Sequence, residues 1–518
     1  MKSTPISLIA GVVALAAVTG FAALTVPGDD DVAEAKASAR LPVERSSLLC
    51  PAPSMSEVAE TTYTSFTPAG KGGGEAGAAE LEPALPLPAD EDAPADKGDE
   101  KDDADKGDEK GDADKGKAAD GKPVISLKDA GKPATADTAE TDAPALVGTA
   151  TGRLAPGWTA QQTTTAAAGG ARGLLGVSCT APDTDFWFSG ASTGKTRQDY
   201  VHLTNPDDTA AVADIELFGA EGPLESAVGE GVTVPARSSV PMLISTLTSE
   251  AAENVTVHVT TRSGRVGAVV GAAEDKVGSD WLAASADPAA TQILPGIPAD
   301  ATSVRLVAFA PGEADADVKI HVLGKNGPLA PAGNATLHIK SQMTASVDLK
   351  DVTRGEPGSI RLSPADGSTT PVIAALRVVR GSGAGQEVAF IPATGPVGER
   401  ASVADNRAKG SVLSLTAPGE TAKVKVTASA GSKGGEATVK TYTVKGGTTV
   451  DVEPEVPAGL KGGYALTVET ESGGPVHAAR TLTMAEGGVD MFTVQTLPDD
   501  GGTVEVPGVE QDLSVLDD

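Results

Sequence analysis

Val201-His202-Leu203-Thr204-Asn205-Pro206 opens a pattern that occurs three times in this chain, and its recurrence decides the fold class. Gly219 stands thirteen residues after Pro206, and the same interval separates Pro311 from Gly324 and Pro418 from Gly431. Each copy closes about sixty residues after its proline on a Val/Ala-rich run: Val266-Gly267-Ala268, Val372-Ile373-Ala374-Ala375 and Val476-His477-Ala478-Ala479-Arg480. Successive prolines are 105 and 107 residues apart, which is the length of a domain.

Inside the first copy, residues 211–218 alternate apolar with polar side chains and end at Gly219 and the turn Glu221-Gly222-Pro223. A period of two places alternate side chains on one face of a strand. Runs 231–235, 239–244, 255–261 and 266–272 follow, separated by Pro, Gly or Ser clusters. The second copy repeats the series at 318–323, 336–339, 345–349 and 372–379, the third at 422–427, 437–444, 448–452, 464–470 and 476–482. Six or seven short antiparallel strands in about a hundred residues fit an immunoglobulin-like β-sandwich. The expected fold is therefore all-β, with tandem immunoglobulin-like β-sandwich repeats at 186–285, 286–385 and 386–498 and a C-terminal tail at 499–518. A β-propeller is the runner-up, but its blades run nearer forty to fifty residues.

Composition agrees with that reading. The 518 residues include only 3% aromatics, with 61 Gly and 36 Pro, so cores are filled by Val, Leu, Ile and Ala between frequent turns. The formal net charge of -30 argues against nucleic acid as a partner, since phosphate binding needs clustered Lys and Arg.

Residues 6–26 form an uncharged apolar run behind Lys2 and before Pro27-Gly28-Asp29-Asp30-Asp31. Such a run addresses the chain for export and is long enough to span a bilayer as a helix. Ala37-Ser38-Ala39, the best small-x-small sequence, lies well beyond its end. Residues 1–28 are accordingly read as an uncleaved membrane anchor with the rest outside, the alternative being secretion after cleavage. The two cysteines, Cys50 and Cys179, read in an exported chain as one disulfide, the alternative being two free thiols.

Residues 68–145 turn to Ala, Asp, Glu, Lys, Gly and Pro, and Asp96-Lys97-Gly98-Asp99-Glu100-Lys101 recurs nine residues later. The segment reads as a disordered acidic insertion, too polar to offset its ordering entropy. It would loop out of an N-terminal β unit whose halves are 41–67 and 146–185. Its Asp103-Ala104-Asp105-Lys106-Gly107 piece imitates a calcium loop, yet a lysine sits among the ligands and the closing glutamate is missing.

Taken together, the anchor, Cys50-Pro51-Ala52-Pro53, Cys179-Thr180-Ala181-Pro182-Asp183-Thr184-Asp185-Phe186-Trp187-Phe188 and Leu203-Thr204-Asn205-Pro206-Asp207 resemble a family of exported actinobacterial proteins whose domain has no known function. The resemblance implies an extracytoplasmic place and a high-GC Gram-positive source. It supplies no catalytic residues.

Ser189-Gly190-Ala191-Ser192-Thr193-Gly194-Lys195-Thr196 satisfies the G-x-S-x-G nucleophile elbow and falls one residue short of a phosphate loop. Both motifs need a helix behind them, whereas residues 197–203 alternate like a strand, so a Gly/Ser/Thr hairpin turn is expected. The five histidines, His202, His258, His321, His338 and His477, lie in strand-like runs without metal-ligand spacing, so each reads as a half-exposed strand residue and no metal or cofactor is expected. Phe186, Trp187 and Phe188 are the one dense aromatic cluster. They are candidate ligand contacts on which a sugar could stack, or else they pack the joint between the N-terminal unit and the first repeat; the packing reading is preferred.

The expected function is a non-catalytic structural or protein-interaction module of the cell envelope, touching the membrane only through its N-terminal helix. The alternatives are a module binding wall glycan and, behind it, an enzyme acting on envelope polymers.

Overall fold

The computed structural model describes residues 39–53, 56–70, 75–84, 122–226, 228–365, 367 and 369–507. Among these the chain is all-β, its only helical pieces being three single 3-10 turns. It divides into two units. The smaller contains an antiparallel pair of strands, Ala39–Pro42 with Thr503–Val506. The larger, residues 43–502, holds four β-sandwiches of one topology.

Seven strands recur in every sandwich; in chain order those of the first are Arg45–Cys50, Ala59–Phe66, Ala79–Pro83, Ala134–Thr138, Leu146–Thr151, Thr159–Ala166 and Gly173–Ser178. Those of the second are Asp185–Ala191, Arg197–Thr204, Ala211–Gly219, Ser239–Leu243, Val255–Ser263, Gly267–Glu274 and Gly278–Leu282. The third uses Gln292–Ile297, Ala301–Phe309, Ala316–Gly324, Thr344–Lys350, Gly358–Pro364, Ile373–Arg380 and Glu387–Pro392. The fourth uses Arg400–Asn406, Ser411–Ala417, Ala422–Ala428, Thr448–Val452, Tyr464–Gly473, His477–Glu486 and Val489–Thr496. In every sandwich the fifth strand lies between the first and third, and the other sheet has the order fourth, second, sixth, seventh. The inward side chains of both sheets make the core, as Val201, Leu203, Ile215, Leu217, Val257 and Val259 do in the second sandwich.

The repeat signal now has a physical meaning. Pro206, Pro311 and Pro418 stand just past the second strand, where the chain must leave one sheet for the other and a residue without an N–H ends the ladder. Gly219 and Gly324 close the third strand at a hairpin whose return residues, Gly222 and Gly327, have φ of 123° and 130°.

Two expectations are corrected. The N-terminal unit is a fourth copy of the sandwich, with Pro68 at the equivalent position after Phe66. The limits 68–145 for the insertion are too wide, since Ala79–Pro83, Ile125–Leu127 and Ala134–Thr138 are strands. Leu81, Ile125 and Leu127 bury their side chains in the first core, enough apolar area to order these short runs despite acidic neighbours. Residues 85–121 lie outside the described residues, as does the expected anchor at 1–28. No helix among the described residues is long and apolar enough to cross a membrane. The expected tail from 499 contains the strand Thr503–Val506.

The four sandwiches close into a ring. Their seventh strands meet around a common axis, that of each sandwich touching that of the next and the fourth touching the first. Farther out, the first strand of the second sandwich packs on the sixth strand of the third, and the first strand of the third on the sixth of the fourth. The first strand of the fourth returns to the sixth strand of the first.

Candidate functional site

The side chains that could carry chemistry collect at the ring's axis and joints. Asp280, on the seventh strand of the second sandwich, is fully buried. Its Oδ1 accepts from Gly176 N of the first sandwich at 3.0 Å and from Trp281 N at 2.8 Å, and its Oδ2 accepts from Thr493 Oγ1 of the fourth at 2.9 Å. Burial pushes its carboxyl well above the usual range against these hydrogen bonds. Gly176 is required here, because a Cβ would lie 2.7 Å from Thr493 Cγ2.

The other diagonal is spanned by Arg172, in the turn before the seventh strand of the first sandwich. Its guanidinium donates to Val277 O of the second sandwich at 2.8 Å, and to Ala384 O at 2.9 Å and Gln386 O at 2.6 Å of the third. It also lies 3.0 Å from Glu387 Oε1, a carboxylate only 1% exposed. Burial pushes the Glu387 carboxyl up to about 7, with Arg172 opposing. Both pairs of opposite sandwiches are thus tied across the axis.

Between the fourth and first sandwiches Gln161 Oε1 accepts three times, from Ala404 N at 3.1 Å, Asp405 N at 2.9 Å and Arg480 Nη2 at 3.1 Å. Arg480 is the largest fully buried side chain, and burial pushes its guanidinium down to about 10. Burial also pushes the Asp405 carboxyl up, but the two hydrogen bonds and charge of Arg407 outweigh it and hold it below its ordinary value.

The predicted aromatic contacts are placed differently from a sugar-binding platform. Phe186 and Phe188 point into the second core. Trp187 points the other way, into the joint with the third sandwich, where it packs with Phe218, Phe309 and Ile373. His258 stacks on the indole face with centroids 3.6 Å apart and is held between Glu216 Oε2 at 2.9 Å and Asp185 Oδ2 at 3.1 Å. All three aromatics are no more than 9% exposed and pack in the interior, as the preferred of the two sequence readings has it. The joint also differs from the one expected, lying between the second and third sandwiches.

Cys50 and Cys179 form the disulfide, joining the end of the first strand of the first sandwich to the residue after its seventh. Residues 192–194 make an arch between the two sheets of the second sandwich rather than a hairpin, with Ser192 N donating to Asp199 Oδ2. All five histidines lie in strands, although His338 is exposed and His477 buried rather than half-exposed, and His477 Nδ1 donates to Thr394 O at 3.0 Å.

Sequence reasoning missed Arg172, Asp280, Glu387 and Arg480. For Asp280, Glu387 and Arg480 the available signal was a charge inside an apolar strand, as in Arg480 after Val476-His477-Ala478-Ala479, where the equivalent residues are Val270 and Leu376, whereas Arg172 lies in a Gly/Ala turn that carries no such signal.

Residues 134–455, most of the chain, match a family of unknown function, DUF5719. The chain belongs to that family. The matched region begins at the fourth strand of the first sandwich and ends just past the fourth strand of the last. No curated protein and no solved structure matches the chain.

Proposed function

We propose that this DUF5719 chain is a non-catalytic scaffold of the cell envelope: an extracytoplasmic ring of immunoglobulin-like sandwiches, held at the membrane by its N-terminal segment and presenting its outer sheet faces to a protein partner. The sandwiches are immunoglobulin-like in architecture, with seven recurring strands and one or two extra ones in two antiparallel sheets, although the strand order is their own. The observation that carries the reading is how the buried charged and aromatic groups are used. Asp280, Arg172, Glu387 and the Trp187 cluster hold sandwich to sandwich, so the chemistry of the interior is committed to a rigid frame. A disulfide persists in oxidising compartments, which favours the extracytoplasmic place.

The test is co-sedimentation of residues 41–518 with purified cell wall and with wall stripped of polysaccharide, alongside crosslinking in cells. The scaffold reading expects no sedimentation with either wall and a crosslinked envelope protein. Sedimentation that disappears on stripping would replace it with glycan binding.

A further inference from the structure

The flank of each third strand that faces away from the fifth is covered differently in the four sandwiches. In the first it carries only Ile125–Leu127. In the second it carries two short pieces, Gly222–Leu224 and Val232–Val234, and in the third Gly327–Leu329 and Thr336–Ile339. In the fourth, one continuous strand, Thr438–Val444, pairs along the whole of Ala422–Ala428 and ends the sheet. An edge strand leaves a row of unpaired N–H and C=O groups, a template for another strand, and short edge pieces are one way of blunting it.

The fourth strands, which end the other sheet of each sandwich, are blunted in other ways. Ala134–Thr138 carries Asp137, Ser239–Leu243 carries Pro241 and Thr448–Val452 carries Asp451. Thr344–Lys350 carries Asp348 and Lys350 and is bulged at Leu349. Thr438–Val444 has no proline, acid or bulge, and its one charge is Lys440. That amine lies 3.1 Å from Glu455 Oε1 and over the Tyr442 ring. Val444 faces the core, so the period of two puts Thr438, Lys440 and Tyr442 on the same inner face. Glu455, which also accepts from Thr438 Oγ1 through its backbone oxygen, therefore covers that face and not the hydrogen-bonding edge. On the outer face Val439 is 59% exposed, and Thr441 and Thr443 are exposed beside it.

The strand is also complementary to itself. Laid antiparallel about a two-fold axis at Thr441, two copies pair all seven residues, with Lys440 opposite the partner's Tyr442 and Val439 opposite the partner's Thr443. No like charges stand opposite one another in this register. Glu436 lies two residues before the strand and Lys445 one residue after it, so antiparallel pairing sets acid beside base at both ends.

We propose that two copies of this chain join edge to edge through Thr438–Val444, turning two four-stranded sheets into one continuous antiparallel sheet.

The test uses the full chain in mild detergent, where its own cysteines are both in the disulfide. Thr441→Cys puts a thiol on the two-fold axis, within disulfide reach of its copy. Thr443→Cys, exposed on the same face, would lie roughly 13 Å along the strand from its copy. Under mild oxidation Thr441→Cys is expected to form the linked dimer at least about tenfold faster than Thr443→Cys. Equal rates, or no dimer from either, would overturn the pairing. Light scattering of the unmodified chain at about 100 μM should give twice the mass of one copy. Thr441→Lys, which sets like charges face to face, should halve that mass without changing the melting temperature. An unmodified chain that stays single, or a Thr441→Lys variant that stays paired, would equally reject the proposal and leave the edge to a different protein.

Discussion

Thr493 Oγ1 donates to Asp280 Oδ2 at 2.9 Å, joining two residues 213 positions apart in opposite sandwiches. The same carboxylate accepts from Gly176 N and Trp281 N, so one side chain holds backbone or hydroxyl groups of three sandwiches. Asp280→Ala leaves both amides buried without a partner, each costing about 1–3 kcal/mol. Asp280→Asn can keep its oxygen on the two amides and donate to Thr493 Oγ1. Thermal unfolding should show the alanine variant destabilised by several kcal/mol and the asparagine variant by about 1 kcal/mol or less. Equal losses would mean that the amides are not held by this side chain.

Glu387 makes stability depend on pH. Its carboxyl is raised from 4.5 to about 7 by burial, so the folded state holds the proton more tightly than the unfolded chain. The stability it contributes is full below pH 4.5, is lost as pH rises through 7 and is flat above, a change of about 3 kcal/mol. Asp451, raised from 3.8 to about 6, acts in the same direction, whereas His202 and His477, pushed down to about 4, lose stability as pH falls. Glu387→Gln isolates the first effect: denaturant midpoints measured between pH 4.5 and 7.5 should fall less steeply with rising pH than those of the parent. An unchanged slope would assign the buried proton elsewhere.

Gly296 sits in a bulge of the third sandwich with φ of 86°, and a Cβ there would lie 2.6 Å from Ala479 Cβ of the fourth. Gly296→Ala therefore combines backbone strain with a clash at the third joint and should cost at least about 2 kcal/mol. Gly312, whose added Cβ meets nothing within 4 Å, is the control. Its alanine variant is expected to match the parent in the same melts.

Reducing the disulfide removes a constraint on a loop of sequence separation 129. In the chain-entropy model that is about 5 kcal/mol. Calorimetry with and without reductant should show a lowered transition, and Cys50→Ala with Cys179→Ala should reproduce it. No shift would mean that the first sandwich is stable without its staple.

Much of the fold was legible because strand-loop punctuation survives in sequence. Prolines 206, 311 and 418 mark the point where every second strand must end, and the alternation in 211–218 matches the observed strand Ala211–Gly219. The first sandwich escaped for a physical reason. Its third strand is only Ala79–Pro83, and the chain runs from 85 to 121 before the next paired strand begins at Ile125, so its proline at 68 stood 138 residues from the next. Phe66-Thr67-Pro68 was the available signal. Ring closure was not legible at all, because Asp280, Glu387 and Arg480 are ordinary charges until the partner strand that buries them is known. Trp187 shows the same limit, since an aromatic alternating outward in a strand can face solvent or the next sandwich with identical sequence.

Ring closure itself is tested most directly by a double-mutant cycle between Asp280 and Thr493, using Asp280→Ala, Thr493→Val and the pair, with unfolding free energies from denaturant titration. If the second and fourth sandwiches meet at the axis, the two substitutions share one hydrogen bond to a buried carboxyl, and the cycle should return a coupling of about 1–2 kcal/mol. Additivity within about 0.3 kcal/mol would show that the two sandwiches do not touch there and would contradict the closed ring.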